Sequence, residues 1–255
     1  MNLKRTFIAV CFAFVAGSSF AKDSVNWGYD GKTGPEFWGD LSPDFLMCKT
    51  GKSQAPIDIP VKLVQKSDAT MQTAYRPSRA KIINNGHTIQ INLPNAGYAE
   101  FNGEDYTLLQ IHFHTPSEEK VDGKSYPLNA HLVHINPGDS EYDSEAGKLA
   151  VIGVFFKEGK ENAALKNIFA EVPSQKSKER YKTQFDTRAL LPQNKAFYSY
   201  EGSLTTPGCA EGVQFYILKT PVEVSKKQLE QFKKLYPLNA RPTMPLNGRK
   251  ITEGN

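Results

Sequence analysis

A sheet-dominated single domain with a few peripheral helices is the fold this sequence predicts, on three observations. Its 255 residues are 39% hydrophobic, with 19 Gly and 16 Pro, and show no internal repeat and no Gly/Ser or Pro linker, so one core of useful size is expected. Short β-rich runs separated by turn dipeptides fill most of the chain. Only two stretches carry apolar residues at helical spacing.

The elements follow in chain order. Lys4 and Arg5, an apolar run from Phe7 to about Gly17, and small residues before Ala21 read as a cleaved signal peptide over residues 1–21. That run is too short for a membrane span, and Val10 before Cys11 disfavours a lipoprotein anchor. The mature domain, residues 22–255, is expected to be exported, to the periplasm, without a membrane anchor. Strands are expected at Lys81–Asn84, His87–Leu93, Ala99–Phe101, Tyr106–His114, Ala130–Ile135, Leu149–Lys157 and Val213–Lys219. Asn84-Asn85-Gly86, Asn102-Gly103, Asp122-Gly123 and Pro137-Gly138 supply turns. A helix is expected over Glu161–Ala170 on Leu165, Ile168 and Phe169. Another is expected over Lys226–Tyr236, opened by a Ser225/Gln228 capping box and striped by Leu229, Phe232, Leu235 and Tyr236. Lys176–Lys182, a basic run, reads as a solvated turn.

Charge excludes one class of function. A formal +4, lowered by two once Lys4 and Arg5 are removed, makes no field strong enough to hold nucleic acid or an acidic membrane. Export leaves Cys48 and Cys209 as the only cysteines, so a disulfide between them is expected. Closing a loop of that length is worth about 5 kcal/mol in the chain-entropy account.

Five histidines carry the chemistry: His87, His112, His114, His131 and His134. His112 and His114 stand two apart in a strand, so their rings leave one face and can converge on a metal ion. A third ligand should come from Ala130–Ile135. His131 and His134 point to opposite faces there, so only one can join, and periodicity does not say which. Gln110 shares the face of the pair and could orient a ring. His112-Phe113-His114 with Glu118 also fits the first motif of cupins, but no histidine follows His134 to complete that set.

Several motifs in order extend over nearly the whole mature chain: Trp27-Gly28-Tyr29, Gly34-Pro35-Glu36-Phe37-Trp38, Gly51-Lys52-Ser53-Gln54-Ala55-Pro56, Asn84-Asn85-Gly86-His87, and Gln110-Ile111-His112-Phe113-His114. Pro116-Ser117-Glu118, Ala130-His131-Leu132-Val133-His134, Gly202-Ser203-Leu204-Thr205-Thr206-Pro207 and Asn239-Ala240-Arg241-Pro242 follow. Together these residues resemble an α-class carbonic anhydrase of the exported bacterial type. The resemblance implies a central twisted, mostly antiparallel sheet of about ten strands. It implies one Zn2+ on His112, His114 and His131, and reversible hydration of CO2 to bicarbonate by zinc hydroxide. Thr205 and Glu118 would then be the gate pair and His87 the proton shuttle. Val133, Val151, Leu204 and Phe215 would line the substrate pocket, with Thr206 near bicarbonate. Anions and sulfonamides are the implied inhibitors, and a homodimer the implied assembly.

Four positions depart from the family pattern: Asn129 stands for a Glu behind the third ligand, Glu119 for a His, Phe215 for a tryptophan, and Gly208 for a proline. Asn129 shares the face of His131 and is expected to accept its ring N–H through the amide oxygen, with Glu119 near enough to supply the missing carboxylate instead. The competing class is a zinc-free binding protein on the same fold, which the complete ligand, gate and shuttle set argues against.

Overall fold

The computed structural model describes residues 25–136, 149–173 and 178–255; the segment expected to be a signal peptide, the expected Pro137-Gly138 turn and residues 176–177 of the basic run lie outside these residues. The chain opens with two short helical turns, α1 (Trp38–Leu41) and α2 (Met47–Thr50). Next come β1 (Asp58–Ile59), β2 (Gln65–Lys66), β3 (Met71–Tyr75), β4 (Ser78–Asn84), β5 (Ile89–Asn92), β6 (Gly97–Phe101) and β7 (Glu104–His114). They are followed by β8 (Lys120–Val121), β9 (Leu128–Ile135), β10 (Leu149–Glu158), α3 (Ala163–Ala170), β11 (Glu179–Phe185), β12 (Phe197–Ser203), β13 (Glu211–Val224), α4 (Lys226–Leu235) and β14 (Thr252–Gly254).

Twelve strands make one sheet in the order β11-β4-β5-β7-β9-β10-β13-β12-β14-β2, with β6 on the far end of β7 and β3 beyond it. Pairing is antiparallel except at β10–β13 and β14–β2. Alternation sends residues of each central strand to opposite faces. Ile111 and Phe113 of β7, Ala130 and Leu132 of β9, Ile152 and Val154 of β10 enter the larger core, which also buries Leu165 and Ile168 of α3 and Leu229 and Phe232 of α4. Val151, Phe155, Val213, Phe215 and Ile217 build a second core on the other face. That face carries the cleft.

One irregularity directs β7 into the cleft. The register against β9 shifts between Leu108 and Gln110, so the strand carries one extra residue there. Leu108 therefore packs in the larger core, while Gln110, only two residues on, lines the cleft with His112 and His114.

Each expected strand and helix is present with shifted ends. The capping box of α4 forms in both directions, with Gln228 N donating to Ser225 Oγ at 3.3 Å and Ser225 N to Gln228 Oε1 at 3.0 Å. Leu235, placed in the stripe, is instead exposed. Asn162 caps α3 by accepting from Leu165 N, which starts that helix later than expected. Asn102-Gly103 and Asp122-Gly123 both take positive φ, the signature of a tight hairpin turn. His87 sits before β5 rather than in it, because Asn85 Oδ1 accepts from the backbone of His87 and Thr88 and closes a turn.

The basic run is a correction. Glu179–Lys182 belongs to β11, paired with β4 at the sheet edge, with Lys81 and Glu179 in an ion pair at 2.6 Å. An edge strand with one exposed side needs no apolar alternation, which is why composition misread it. β12 is likewise unmarked in the sequence: it lies between β13 and β14 with only Glu201 exposed, and so has no polar period.

Cys48 and Cys209 form a disulfide, 4.9 Å between Cα atoms and 161 positions apart, packed against Trp38. Reduction, or the double change Cys48→Ser with Cys209→Ser, should lower unfolding free energy by a few kcal/mol in a denaturant titration. Two titratable thiols in folded, oxidised protein would contradict this.

Candidate metal centre

His112 and His131 are Cα partners across the β7–β9 ladder, and His114 lies two residues along β7. One ring nitrogen from each of the three lies within 4.8 Å of the other two, at the base of a cleft of about 230 Å3. His134 points through the sheet the other way. Its ring meets the Tyr75 hydroxyl at 2.6 Å and the Ala150 carbonyl at 3.2 Å, beside Phe101. His134 is thus structural, and strand parity separates it from the cluster.

Every ring has its remote nitrogen engaged. His112 Nδ1–H donates to Gln110 Oε1 at 2.9 Å and His114 Nδ1–H to the Asn239 carbonyl at 2.8 Å. His131 Nε2 lies 3.1 Å from Glu119 Oε2 and 2.9 Å from Asn129 Nδ2. An imidazole that donates through one nitrogen keeps a lone pair on the other, so His112 Nε2, His114 Nε2 and His131 Nδ1 can all face one point. His114 Nε2 is buried with no hydrogen-bond partner among the described residues. An orphan of that kind is costly unless a ligand completes it, and three convergent neutral nitrogens fit zinc.

Burial, with the neighbouring His131 as a lesser cause, lowers the His112 pKa to about 3 and holds His114 well below the ordinary imidazole value. Burial also pushes His131 down, but the charge and hydrogen bond of Glu119, with Glu118, outweigh it and leave that pKa raised.

Glu118 lies 3.4 Å from His114 Nε2 and 3.7 Å from His131 Nδ1. Its Oε1 accepts from the Arg241 backbone N–H at 2.9 Å, while Oε2 has no hydrogen-bond partner among the described residues. Burial raises its pKa to about 7, against the opposing pull of His131, the Arg241 N–H and the Thr205 hydroxyl. The Thr205 hydroxyl and the Glu118 carboxylate are therefore neighbours.

The cleft wall contains Val133, Val151, Leu204 and Phe215, with Thr206 beside them. Phe215 stacks on Tyr200 at 4.8 Å and its ring lies 6.0 Å from that of His131. His87 also lines the cleft, stacked on Trp27 at 3.7 Å with 4° between planes. Gly208 has φ +102, a conformation closed to the proline that the family pattern places there.

Two contributors went unassigned in the sequence, although their motif was visible. Asn239 accepts from His114 through its carbonyl and from Thr115 N through Oδ1, and its amide reaches the carbonyls of His87 and Phe113. Arg241 anchors Glu118 with its backbone. Its guanidinium bonds Gln54 Oε1, the Ala55 carbonyl and the Cys48 carbonyl. Asn129 is a partial correction: its amide nitrogen, not its oxygen, faces the His131 ring.

A broad sheet presenting three imidazoles at the base of a half-apolar cleft defines a mainly β protein with a three-histidine metal site. Residues 33–255 match the family described as eukaryotic-type carbonic anhydrase. A carbonic anhydrase of Pectobacterium carotovorum is 42% identical over 246 residues, covering 96% of this chain and 95% of that one. One from a Nostoc species is 38% identical over 98% of this chain and 97% of its own. Among solved structures, the α-carbonic anhydrase of Thermovibrio ammonificans in complex with the inhibitor sulfanilamide superposes with a TM-score of 0.83 at 44% identity, over 89% of this chain and 99% of that one. The chain belongs to the α-carbonic anhydrase family and is a carbonate dehydratase, a lyase that hydrates CO2.

Burial lowers the His134 pKa to about 4 from an ordinary 6.5. The unfolded chain thus binds a proton at this position that the folded chain refuses, so stability should fall as pH drops from 6.5 toward 4. Replacing His134 by Gln should flatten that part of the pH profile of unfolding free energy, and an unchanged slope would count against a neutral buried ring.

Proposed function

We propose that the chain hydrates CO2 through one zinc ion held by Nε2 of His112, Nε2 of His114 and Nδ1 of His131. The observation that carries this reading is that all three remote nitrogens are engaged, leaving three convergent lone pairs, one of them buried and unpartnered. Zinc there supplies a Lewis acid that lowers the pKa of bound water to about 7, the value known for carbonic anhydrase.

The chain's own residues then orient and exclude. Thr205 commits its proton to Glu118, so its oxygen is left only to accept, which selects a partner with a proton to give and fixes that partner's direction. Val133, Val151, Leu204 and Phe215 offer an apolar wall that suits CO2, and Thr206 a polar edge for bicarbonate. His87, in the cleft lining, carries the released proton outward. The same site would take anions and sulfonamides, a reading supported by the sulfanilamide complex of the Thermovibrio relative. Residues 1–21 are read as a signal peptide that sends residues 22–255 to the periplasm, where the mature chain forms a homodimer.

Purified protein should contain one zinc per chain, measured by elemental analysis, and hydrate CO2. His131→Ala should lose most of that zinc while His134→Ala keeps it, and the opposite pattern would overturn the ligand set.

His87→Ala should lower turnover in dilute buffer by about tenfold or more. Oxygen-isotope exchange between CO2 and bicarbonate should stay near the parent rate, and added imidazole should restore part of the loss. Equal loss in both assays without rescue would remove His87 from proton transfer.

A further inference from the structure

We infer that Glu119, a loop residue just before β8, is the residue that positions His131 for the metal, and that Asn129 serves to clamp Glu119. The inference rests on the zinc reading above and goes beyond it. In the family pattern the supporting carboxylate comes from the position of Asn129, and the position of Glu119 is filled by a histidine. Here the carboxylate stands at 119 and an amide at 129.

Glu119 Oε2 lies 3.1 Å from His131 Nε2 and 3.0 Å from Asn129 Nδ2, and those two nitrogens are 2.9 Å apart. An amide nitrogen can only donate. Were the proton of His131 on Nδ1, the lone pair of Nε2 would face a carboxylate oxygen 3.1 Å away, too close for a water to lie between them. Turning the Asn129 amide over would place two acceptor oxygens 3.0 Å apart and lose the weak bond, 3.4 Å, that its Oδ1 accepts from Glu118 N. One arrangement satisfies every atom: His131 Nε2–H and Asn129 Nδ2–H both donate to Glu119 Oε2. Nδ1 of His131 is then free for the metal.

The other oxygen of Glu119 is held as well. Tyr200 donates its hydroxyl to Oε1 at 3.2 Å, and Ser117 Oγ donates to the Glu119 carbonyl at 2.7 Å. Glu119 and Asn129 are both 0% exposed, so no solvent competes for these bonds. The three ligands are consequently unequal. His112 and His114 lean on neutral acceptors, Gln110 Oε1 and the Asn239 carbonyl, whereas His131 leans on a carboxylate. A charged acceptor makes the stronger hydrogen bond and the more basic ring.

The test compares zinc-loaded parent with Glu119→Gln, Asn129→Glu, and the exchanged pair Glu119→His with Asn129→Glu, following zinc release to excess chelator and the 15N-resolved imidazole proton of His131. Glu119→Gln should release zinc about 10–100-fold faster. Asn129→Glu alone should bring no slowing, since it sets two carboxylates side by side, and the exchanged pair should return toward the parent rate. A merely structural role for Glu119 predicts lower thermal stability with unchanged release and no rescue by exchange, and that result would overturn the inference. Should Glu119→Gln fail to fold, the parent alone decides: its His131 proton belongs on Nε2, and a proton on Nδ1 overturns the inference. A parent that takes up no zinc sinks the metal reading instead, and the same His131 measurement on that protein still tests Glu119.

Discussion

The antiparallel pairing of β7 with β9 places His112 directly opposite His131, and the rest of the site depends on that register. Side chains alternate along a strand, so a slip of one residue would turn His131 into the larger core and bring His134 toward the cleft. Apolar residues hold the register from the other face. Ile111, Phe113, Ala130 and Leu132 are fully buried there, and the same slip would expose them. The bulge after Leu108 lets β7 serve both ends, packing its first half into the core and presenting Gln110, His112 and His114 to the cleft.

A cleft floor this polar is costly to bury, and the structure offsets the cost by giving nearly every atom a partner. Gln110, Asn239 and Glu119 take the remote N–H groups of the three rings, and Arg241 takes Glu118. The atoms left over are informative because they are few. Among the described residues, two of the three buried side-chain atoms with no hydrogen-bond partner are His114 Nε2 and Glu118 Oε2, and both belong to this cluster. Polar satisfaction thus fails where a ligand would complete it.

The disulfide joins this arrangement through the backbone. Cys48 and Cys209 tie the N-terminal aromatic segment to the loop carrying Thr205, and Arg241 reaches the Cys48 carbonyl while its own N–H holds Glu118. Gln54 links the Cys209 carbonyl to Glu211 and Arg241. One covalent bond therefore braces the Thr205 loop and the Glu118 anchor together, although they lie far apart in the chain.

The sequence by itself determined the strand that carries His112 and His114, the parity that sets His131 against His134, the turns at Asn102-Gly103 and Asp122-Gly123, and the cap of α4. These depend on residues near one another along the chain, where periodicity and capping act directly. Its motif order also determined the family. β12 was illegible because near-complete burial erases alternation, and β11 because an exposed edge strand of mostly charged and polar residues looks like a loop. The family resemblance selects His131 over His134, whereas the roles of Asn239 and Arg241 and the hydrogen bond from His131 to Glu119 were decided by tertiary structure alone. Each is a contact between segments whose separation along the chain says nothing of their distance in space, and only the packed sheet, by burying them together, forces every donor to find its acceptor.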